Sequence, residues 1–347
     1  MVPTMSSSHG IERVERCPAD GAELLPAAYG AAVGGVTWAV RTCPRCGRRA
    51  LDPRPSPGAL GAWYGPEYFG AGDAKFVGGI EAFIDAFRQS RARDAAAWMR
   101  RLPPRPGATQ AAVPNAAPTG APGPGRVLDI GCGSGRFLAA LAWRGFECHG
   151  TEFSDETARR AAAIPGLQVH AGPVTDGTYA PGTFDLVSVW HVLEHLHDPD
   201  ALLRRCALWL REGGVLLLAV PNIDSWQARL FRGAWFHLDP PRHLFHFGPS
   251  SLRVALEAAG FRVVRMRQLS WEQNLYGVLQ SGLNALGFAR DDFYEALKGN
   301  RRLGSTPRDY VEAALLAAGF LPAALFTLAE AAAGCGGTLE LVARKER

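Results

Sequence analysis

The chain has 347 residues, 47% of them hydrophobic and 20% charged, and a formal net charge of +4. This length and apolar content suffice for a substantial buried core, and so mild a positive charge does not by itself indicate a nucleic-acid-binding protein. Its seven cysteines include a single C-x-x-C pair, which argues against a disulfide scaffold. No secretory apolar segment opens the chain, so we expect a cytoplasmic protein.

Residues 1–60 carry polar side chains at the spacing of zinc ligands. The letters CPRCG, from Cys43, have the form of a zinc knuckle, in which a tight turn presents two thiolates. The letters CPADG, from Cys17, match them except that Asp20 stands where a second cysteine is expected. Because a carboxylate can also ligate zinc, the candidate ligands of a closed structural site are Cys17, Asp20, Cys43 and Cys46. The alternative is a small module held together by packing alone.

Residues 61–102 are expected to connect this module to the next domain. Apolar residues at helical spacing from Ile80 to Leu102 predict a helix, and its arginines, among them Arg88 and Arg91, are assigned to a solvated face. Tyr64 and Tyr68 are expected to pack in the surface or core; the alternative is that they reach the active site. Residues 103–125 are rich in Pro, Ala and Gly and should be a disordered linker.

A glycine-rich turn follows in the letters RVLDIGCGSGRF, from Arg126. A short buried strand ends in a turn with Gly131, Gly133 and Gly135, and a helix then begins. This spacing lets the backbone approach a ligand closely, with the free N–H groups of the new helix facing it. The G-x-G-x-x-G fingerprint of dinucleotide sites is not met, because Arg136 stands at its last position.

Two acidic residues indicate the charge of that ligand. Asp129 stands at the mouth of the turn, where a carboxylate would repel a pyrophosphate and attract a cation. Glu152 ends the next predicted strand, about 20 residues downstream, where such folds place an acceptor for ribose hydroxyls. S-adenosylmethionine combines adenosine with an ammonium and a sulfonium group, so it fits this pattern.

Strands and helices alternate through the rest of this region, which predicts a mostly parallel sheet. The predicted strands are 126–130, 146–151, 166–170, 184–190, 213–220 and 261–268. The predicted helices are 135–144, 154–163, 199–210 and 249–259.

Four ordered motifs resemble those of class I S-adenosylmethionine-dependent methyltransferases: LDIGCGSG, the acid at Glu152, FDLVSVWHVLEHLHDP (184–199) and LREGGVLLLAVPN (210–222). The resemblance implies an α/β fold with a doubly wound, seven-stranded, mostly parallel sheet whose last strand, 338–344, is antiparallel. The catalytic domain would comprise 126–270 and 337–347. The N-terminal segment resembles the zinc-ribbon-like module that precedes many such enzymes. The implied contacts of S-adenosyl-L-methionine are Asp129, Gly131, Gly133, Gly135, Glu152, Gly172 and Trp190.

The segment WHVLEHLHDP, after the fourth strand, lies beside the transferred methyl group in such enzymes. Methyl transfer requires alignment, and a base where the nucleophile still carries its proton. His191 and His195 are the candidate catalytic residues, with Glu194 orienting an imidazole; the alternative is that all three only shape the pocket. The letters HVLEH also match an inverted zinc-protease motif, which we reject because His191 directly follows a strand.

A second cluster, WFHLDPPRHLFHF, spans 235–247. Arg242 and His243 are predicted to hold an anionic or hydroxylated substrate. Trp235, Phe236 and Phe245 are predicted to form apolar walls, and His237 and His246 to be scaffold.

Residues 271–336 do not fit the alternation and predict a helical insertion before the last strand. The stretch 311–333 is apolar enough to raise a transmembrane interpretation. We reject a span because the next strand must return to the same sheet, and Gly319 and Pro322 interrupt the run. A buried helical hairpin is expected; the alternative is an apolar lid or membrane-contacting surface for a lipid-like substrate.

We therefore expect a methyltransferase that acts on a small molecule, most plausibly at oxygen. The alternatives are methylation of carbon or nitrogen in a sugar or lipid-like acceptor, RNA methylation, and a non-enzymatic scaffold. The chain lacks the N-P-P-[YFW] letters of enzymes that methylate base amines, and no basic stripe is interleaved with aromatics, which argues against RNA. The sequence indicates neither the acceptor nor an oligomeric state.

Overall fold

The computed structural model of the protein describes residues 10–64, 78–103, 125–290, 292–299, 301 and 306–346. The predicted linker, apart from its two end residues, and Tyr68 lie outside these ranges.

The N-terminal module is built from short antiparallel strands and one helical turn. Its elements are β1 (Ile11–Glu12), β2 (Tyr29–Val33), β3 (Val36–Thr42), β4 (Arg49–Asp52), β5 (Arg54–Pro55) and α1 (Pro57–Leu60). Strands β2, β3 and β4 pair in sequence order, and β1 pairs with β5. Trp38 and Leu51 are fully buried between these strands and Trp63, so the module has an apolar core of its own.

The largest sheet among the described residues has seven strands, as predicted. They are β6 (Arg126–Ile130), β7 (Glu147–Glu152), β8 (Leu167–Ala171), β9 (Phe184–Trp190), β10 (Leu210–Pro221), β12 (Phe261–Arg267) and β13 (Thr338–Lys345). Their order is β12-β13-β10-β9-β6-β7-β8, and β13 runs antiparallel to both neighbours. The sheet is therefore doubly wound about β6, which places the carboxyl ends of β6, β7 and β9 side by side at one edge.

Helices cover this sheet, and the first of them packs across it from outside the alternation. They are α2 (Gly78–Met99), α3 (Arg136–Ala142), α4 (Asp155–Ala162), α5 (Pro199–Trp209), α6 (Trp226–Phe231) and α7 (Pro249–Ala258). Local signals set their starts: Ser154 and Asp198 accept backbone N–H bonds at the beginnings of α4 and α5, and Pro199 occupies the first turn of α5.

The N-terminal module is joined to the catalytic domain by a shared strand and a buried ion pair. The two-residue strand β11 (Phe245–His246) pairs with β4, so the substrate-side loop completes the module's sheet. The Arg48 guanidinium is 4% exposed, donates two hydrogen bonds of 2.7 Å to Asp200, and lies over the Phe247 ring. The module is thus held against the start of α5.

In the described part of the insertion between β12 and β13 there are three helices, α8 (Trp271–Ala285), α9 (Asp292–Leu297) and α10 (Pro307–Ala332). The expected buried hairpin is wrong. Helix α10 runs through Gly319 and Pro322 without a break, and only 17% of its most apolar stretch is buried. Its length and composition are those of a helix able to cross a membrane.

Candidate active site

A large cavity opens at the carboxyl ends of β6, β7 and β9. Its volume of about 1810 Å³ exceeds the ~300–1,000 Å³ of common small-molecule pockets, so it has room for a cofactor and an acceptor together. The glycine turn lines one end, which we call the donor end. Side chains of α8, α9 and α10 line the other, which we call the acceptor end.

Each of the three glycines in the turn is required for a different physical reason. All adopt left-handed φ values, 71° at Gly131, 53° at Gly133 and 71° at Gly135. A Cβ at Gly131 would lie 2.6 Å from Val192, and one at Gly135 would lie 3.2 Å from the Ala161 side chain. A Cβ at Gly133 would meet nothing within 4 Å. Only Gly133 therefore presents bare backbone to open space. Gly135 is not among the cavity-lining residues, so its contact with the cofactor stays a prediction.

Glu152 and Thr151, at the end of β7, fix the turn against the sheet. The Thr151 carbonyl accepts from the N–H groups of Gly131 and Cys132, at 2.8 and 3.0 Å. The Glu152 carboxylate accepts from the Gly133 N–H at 3.0 Å and from the Ser154 N–H at 3.1 Å. Glu152 also lines the cavity, so it stands at the donor end as predicted.

Asp129 is a buried carboxylate at the base of the donor end. It is 3% exposed, and the Ser188 hydroxyl donates to it at 2.7 Å. Burial, opposed by the Ser188 hydrogen bond and aided by the Glu152 charge, raises the pKa of Asp129 to about 7. Among the described residues no cationic side chain offsets this burial. A cationic ligand would stabilise the ionised form, as the predicted charge of the cofactor requires.

Trp190 borders the cavity where β9 ends, and α2 covers it. The Trp190 ring packs edge-on against Phe137, and the Arg91 guanidinium lies 5.0 Å from its centroid. Arg91 also pairs with Glu272 and Glu340. The assignment of Arg91 to a solvated face is wrong; it is a cavity-lining residue, and so is Arg88. Gly172, after β8, lines the cavity on its far side.

His191 and Glu194 follow β9 in a strained turn. His191 has a φ of 53°, which is uncommon for a residue other than glycine and is often found at functional sites. The residues Leu193–His195 form a 3-10 turn rather than an α-helix, so the spacing of the inverted protease motif is not helical. The Glu194 carboxylate is 1% exposed and lies 3.4 Å from His191 Nδ1. Burial raises the pKa of Glu194 to about 7.

His195 is held by two groups distant in the sequence. Its Nδ1 lies 2.8 Å from the Tyr64 hydroxyl and 3.1 Å from the carbonyl oxygen of Arg242. Since a carbonyl can only accept, it selects the tautomer that carries its proton on Nδ1 and leaves Nε2 as an acceptor. Burial lowers the pKa of His195, against the opposing charge of Glu194, so the imidazole is neutral near pH 7. Tyr64 thus reaches this site, which was the alternative to packing in the surface or core.

Arg242 and His243 both line the cavity but are tied to their own loop. Arg242 donates to the Asp239 carboxylate through Nε at 3.0 Å. His243 is 7% exposed, its Nδ1 bonds the His237 carbonyl at 2.8 Å, and its ring lies 4.6 Å from that of His195. Burial holds the pKa of His243 well below its usual value. Glu194, His195 and His243 each have one atom able to bind a metal, and these three atoms lie within 4.8 Å of one another.

Two of the predicted apolar walls are core residues instead. Trp235 is fully buried outside the cavity, with its indole N–H donated to Gln227 at 3.1 Å. Phe245 is fully buried in β11, because that strand pairs with the N-terminal module. His246 is buried scaffold, as predicted, whereas His237 lines the cavity.

Phe236 does form a wall, and the inserted helices supply the rest of the acceptor end. Its ring packs edge-on against Tyr276, at 4.9 Å between centroids, and Tyr276 stacks on Phe293. The remaining apolar lining comes from Leu275, Leu279, Tyr294, Leu297, Leu316, Ala317 and Phe320. Sequence reasoning missed these residues because they lie in an insertion that no motif covers. The acceptor end is thus predominantly aromatic and aliphatic.

The four predicted metal ligands converge in the N-terminal module. Their ligating atoms all lie within 4.8 Å of one another. Cys17 Sγ is 3.6 Å from Cys46 Sγ, and Cys43 Sγ is 3.3 Å from Asp20 Oδ2. Tetrahedral Zn²⁺ with Zn–S bonds of about 2.3 Å separates its ligands by ~3.8 Å, so this donor set has the spacing of a zinc site.

Comparison with known proteins identifies the class. A family model described as a methyltransferase domain matches residues 88–266. The ubiquinone biosynthesis O-methyltransferase of Idiomarina loihiensis is 29% identical over 156 residues, covering 42% of this chain and 64% of that protein. The enzyme of that name from Azoarcus sp. is 30% identical over 159 residues, covering 42% and 68%. That from Caulobacter sp. strain K31 is 37% identical over 103 residues, covering 28% and 41%. The chain thus spans 41% to 68% of these relatives' lengths.

The fold, the donor end and the matched family model define a class I methyltransferase. The chain belongs to the S-adenosylmethionine-dependent methyltransferase family. The predicted fold, enzyme class and cofactor are confirmed. The donor end fits the cofactor, because a bare-backbone turn at Gly133 faces open space between the buried carboxylate of Asp129 and that of Glu152.

Proposed function

We propose that this enzyme methylates a hydroxyl oxygen of an apolar small molecule, with His195 as the general base. The observation that carries the proposal is the bonding of His195. The Arg242 carbonyl fixes the proton on Nδ1, so Nε2 is the nitrogen that can take a proton from an acceptor in the cavity.

At the donor end, the residues orient and hold charge. S-adenosylmethionine, when bound, supplies a methyl group already activated on a sulfonium. Asp129 would carry the charge opposite the cofactor's cation, and Glu152 would accept from ribose hydroxyls while holding the Gly133 N–H. Trp190, clamped between Phe137 and Arg91, would wall the cavity where donor and acceptor meet. This alignment is the main contribution that a protein makes to an in-line displacement.

At the acceptor end, the residues favour a neutral hydroxyl. His195 Nε2 would take the proton of the acceptor hydroxyl as its oxygen is methylated, while the cofactor, when bound, would supply the methyl group and leave as a neutral thioether. Glu194, buried within 4.8 Å of a His195 nitrogen, would stabilise the imidazolium that results. Arg242 is already paired with Asp239, so a carboxylate substrate would have to compete for it.

The apolar lining and the relatives' names both support this choice of acceptor. The walls formed by Phe236, Tyr276 and Phe293 suit a flat ring with an apolar substituent. The matched relatives are named for O-methylation in ubiquinone biosynthesis.

The test is methyl transfer from labelled S-adenosylmethionine to matched acceptors. A catechol with an alkyl chain should be methylated at oxygen. Its dimethyl ether, an aniline with the same chain, and a hexose should not be methylated, as judged by mass spectrometry of the products. Transfer to nitrogen or carbon instead would overturn the proposal.

The assay should also be run with a chelator. Activity that requires a divalent cation would make His195 a ligand, together with Glu194 and His243, rather than the base.

We also propose that Cys17, Asp20, Cys43 and Cys46 hold a structural zinc ion, since four protein ligands leave no open position for chemistry. Purified protein should contain about one zinc per chain by mass spectrometry of the metal. Cys46→Ser should lose it and lower the melting temperature. Cys335→Ser, which alters a thiol outside the cluster, should retain it. A metal-free protein that melts like Cys46→Ser would show instead that packing alone holds the module.

A further inference from the structure

The outward surface of α10 is apolar over its whole length. Between Tyr310 and Ala333 no charged side chain is exposed, although every residue of this stretch is described. Tyr310 is 66% exposed and Leu321 is 65% exposed. The other large exposed side chains are Val311, Leu315, Phe320, Leu325 and Leu328.

The polar residues of α10 face inward instead. Glu312, Thr327 and Glu330 are 0% exposed. Glu312 pairs with Arg301 at 3.0 Å, and Glu330 accepts from the Gln227 side-chain amide at 2.6 Å. The helix therefore has the reverse of the polarity expected at a water-exposed surface, where the polar face points outward.

The apolar surface also covers an unusually wide arc. At 3.6 residues per turn, the exposed residues from Tyr310 to Ala333 span about 220° of the helix circumference. A single partner helix would cover only a stripe of roughly 100°. An arc of more than half the circumference matches a helix partly immersed in an apolar medium.

Both ends of α10 are attached to the same globular body. Glu312 and Glu330 are 18 residues apart, about 27 Å at 1.5 Å per residue, and each is bonded to the catalytic domain or its insertion. The Glu330 carboxylate also accepts from the Gly337 N–H at 3.1 Å, next to β13. Because Leu316 and Phe320, between these two glutamates, line the cavity, and β13 returns to the sheet beside β12, the helix lies along the domain.

A neighbouring apolar surface and basic side chains extend this face. Trp226 of α6 is 38% exposed and its ring lies 6.2 Å from that of Phe326 in α10. Leu230, one turn further along α6, is 62% exposed. Exposed basic residues follow at both sides: Arg229 and Arg232 at α6, and Arg308 at the start of α10.

We propose that α10, with Trp226 and Leu230, is a monotopic membrane-docking surface that lies flat in the headgroup region of an anionic bilayer. The apolar arc enters the acyl boundary while the arginines meet lipid phosphates, the arrangement of interfacial amphipathic helices. A second copy of the chain fits less well, because a twofold interface would pair this face with itself and the charged residues named on it, Arg229, Arg232 and Arg308, are all basic. The inner side of α10, through Leu316 and Phe320, lines the acceptor end, so the docked face adjoins the cavity.

Vesicle binding by the full chain tests this proposal independently of the acceptor's identity. The protein should sediment with vesicles of phosphatidylcholine and phosphatidylglycerol, and less with phosphatidylcholine alone or at high salt. Leu321→Glu/Leu325→Glu should bind the anionic vesicles at least tenfold more weakly, and Leu321→Ala/Leu325→Ala should bind to an intermediate degree. The matched control, Trp143→Glu/Val254→Glu, changes two exposed apolar residues of α3's end and α7 and should bind like the wild type.

Further measurements distinguish membrane docking from the alternatives. Affinity for S-adenosylmethionine should be equal in all four proteins, since neither Leu321 nor Leu325 lines the cavity. Lipids brominated near the headgroup should quench tryptophan fluorescence in the wild type and less in Trp226→Phe. Wild-type protein that ignores vesicles and forms a dimer dissociated by Leu321→Glu/Leu325→Glu would assign the surface to a second copy. Equal vesicle binding by Leu321→Glu/Leu325→Glu and the wild type would overturn the proposal.

Discussion

The donor and acceptor ends of the cavity are built in different ways. The donor end comes from one short stretch, 126–152, and uses backbone N–H groups and two carboxylates at neighbouring strand ends. The acceptor end gathers side chains from the N-terminal module, the turn after β9, the loop before β11 and the inserted helices.

This difference separates two kinds of function. A turn made by backbone sterics and fixed by Thr151 and Glu152 binds one ligand chemistry regardless of what surrounds it. An acceptor end made from insertions can change its substrate without disturbing that turn. Substitutions at the donor end should therefore change cofactor affinity, and those at the acceptor end should change turnover.

The sharpest separation should come from His195→Gln. Removing a general base costs about 10²–10⁴-fold in rate, so kcat should fall by that order while the Kd for S-adenosylmethionine stays within twofold. Single-turnover kinetics and isothermal titration measure the two quantities. The control is His170→Gln, which changes an exposed histidine outside the cavity. A His195→Gln enzyme with full activity would remove His195 from the mechanism and support a pocket-shaping role.

Asp129→Asn should have the converse effect. It keeps the hydrogen bond with Ser188 and removes the charge, and losing one partner of a buried ion pair costs about 3–5 kcal/mol. Affinity for S-adenosylmethionine should fall by at least about 100-fold by titration calorimetry. Asp94→Asn, at an exposed carboxylate of α2, should bind the cofactor normally. Unchanged affinity in Asp129→Asn would refute the electrostatic account of the donor end.

The same carboxylate predicts a pH dependence of cofactor binding. In the free protein Asp129 has a pKa of about 7, so it is protonated below that pH and cannot attract a cation. The Kd for S-adenosylmethionine should be constant above pH 7 and rise about tenfold per unit below it. In Asp129→Asn this dependence should vanish. A wild-type Kd that is flat from pH 8 to pH 5.5 would mean that Asp129 stays ionised throughout.

The two ends also differed in how well the sequence predicted them. The donor end follows from local signals, an apolar run, a glycine turn and an acid at the next strand end, so its residues were located without long-range information. Arg91 was misplaced because its partners Glu272 and Glu340 lie 181 and 249 residues away. Phe245 was misplaced because β11 pairs with a strand of the N-terminal module. Neither pairing leaves a periodic signal in the chain.

Tyr64→Phe has the smallest expected effect on kcat and is the most specific test of how the two ends are coupled. The Tyr64 hydroxyl, just after the N-terminal module, contacts His195 Nδ1, which also donates to the Arg242 carbonyl. Tyr64→Phe removes one neutral hydrogen bond, worth about 0.5–1.5 kcal/mol, so kcat should fall about threefold to tenfold with cofactor affinity unchanged. Because Tyr64 is a positioning residue, the acid limb of the kcat/KM profile should also shift.

Tyr29→Phe is the matched control, since it removes a hydroxyl from the adjoining N-terminal module, outside the cavity. It should leave both kcat and the pH profile unchanged. A loss of 100-fold or more in Tyr64→Phe would make the phenol itself an acid or base in the reaction. No loss at all would show that the carbonyl of Arg242 is sufficient to orient His195, and the N-terminal module would then serve stability rather than catalysis.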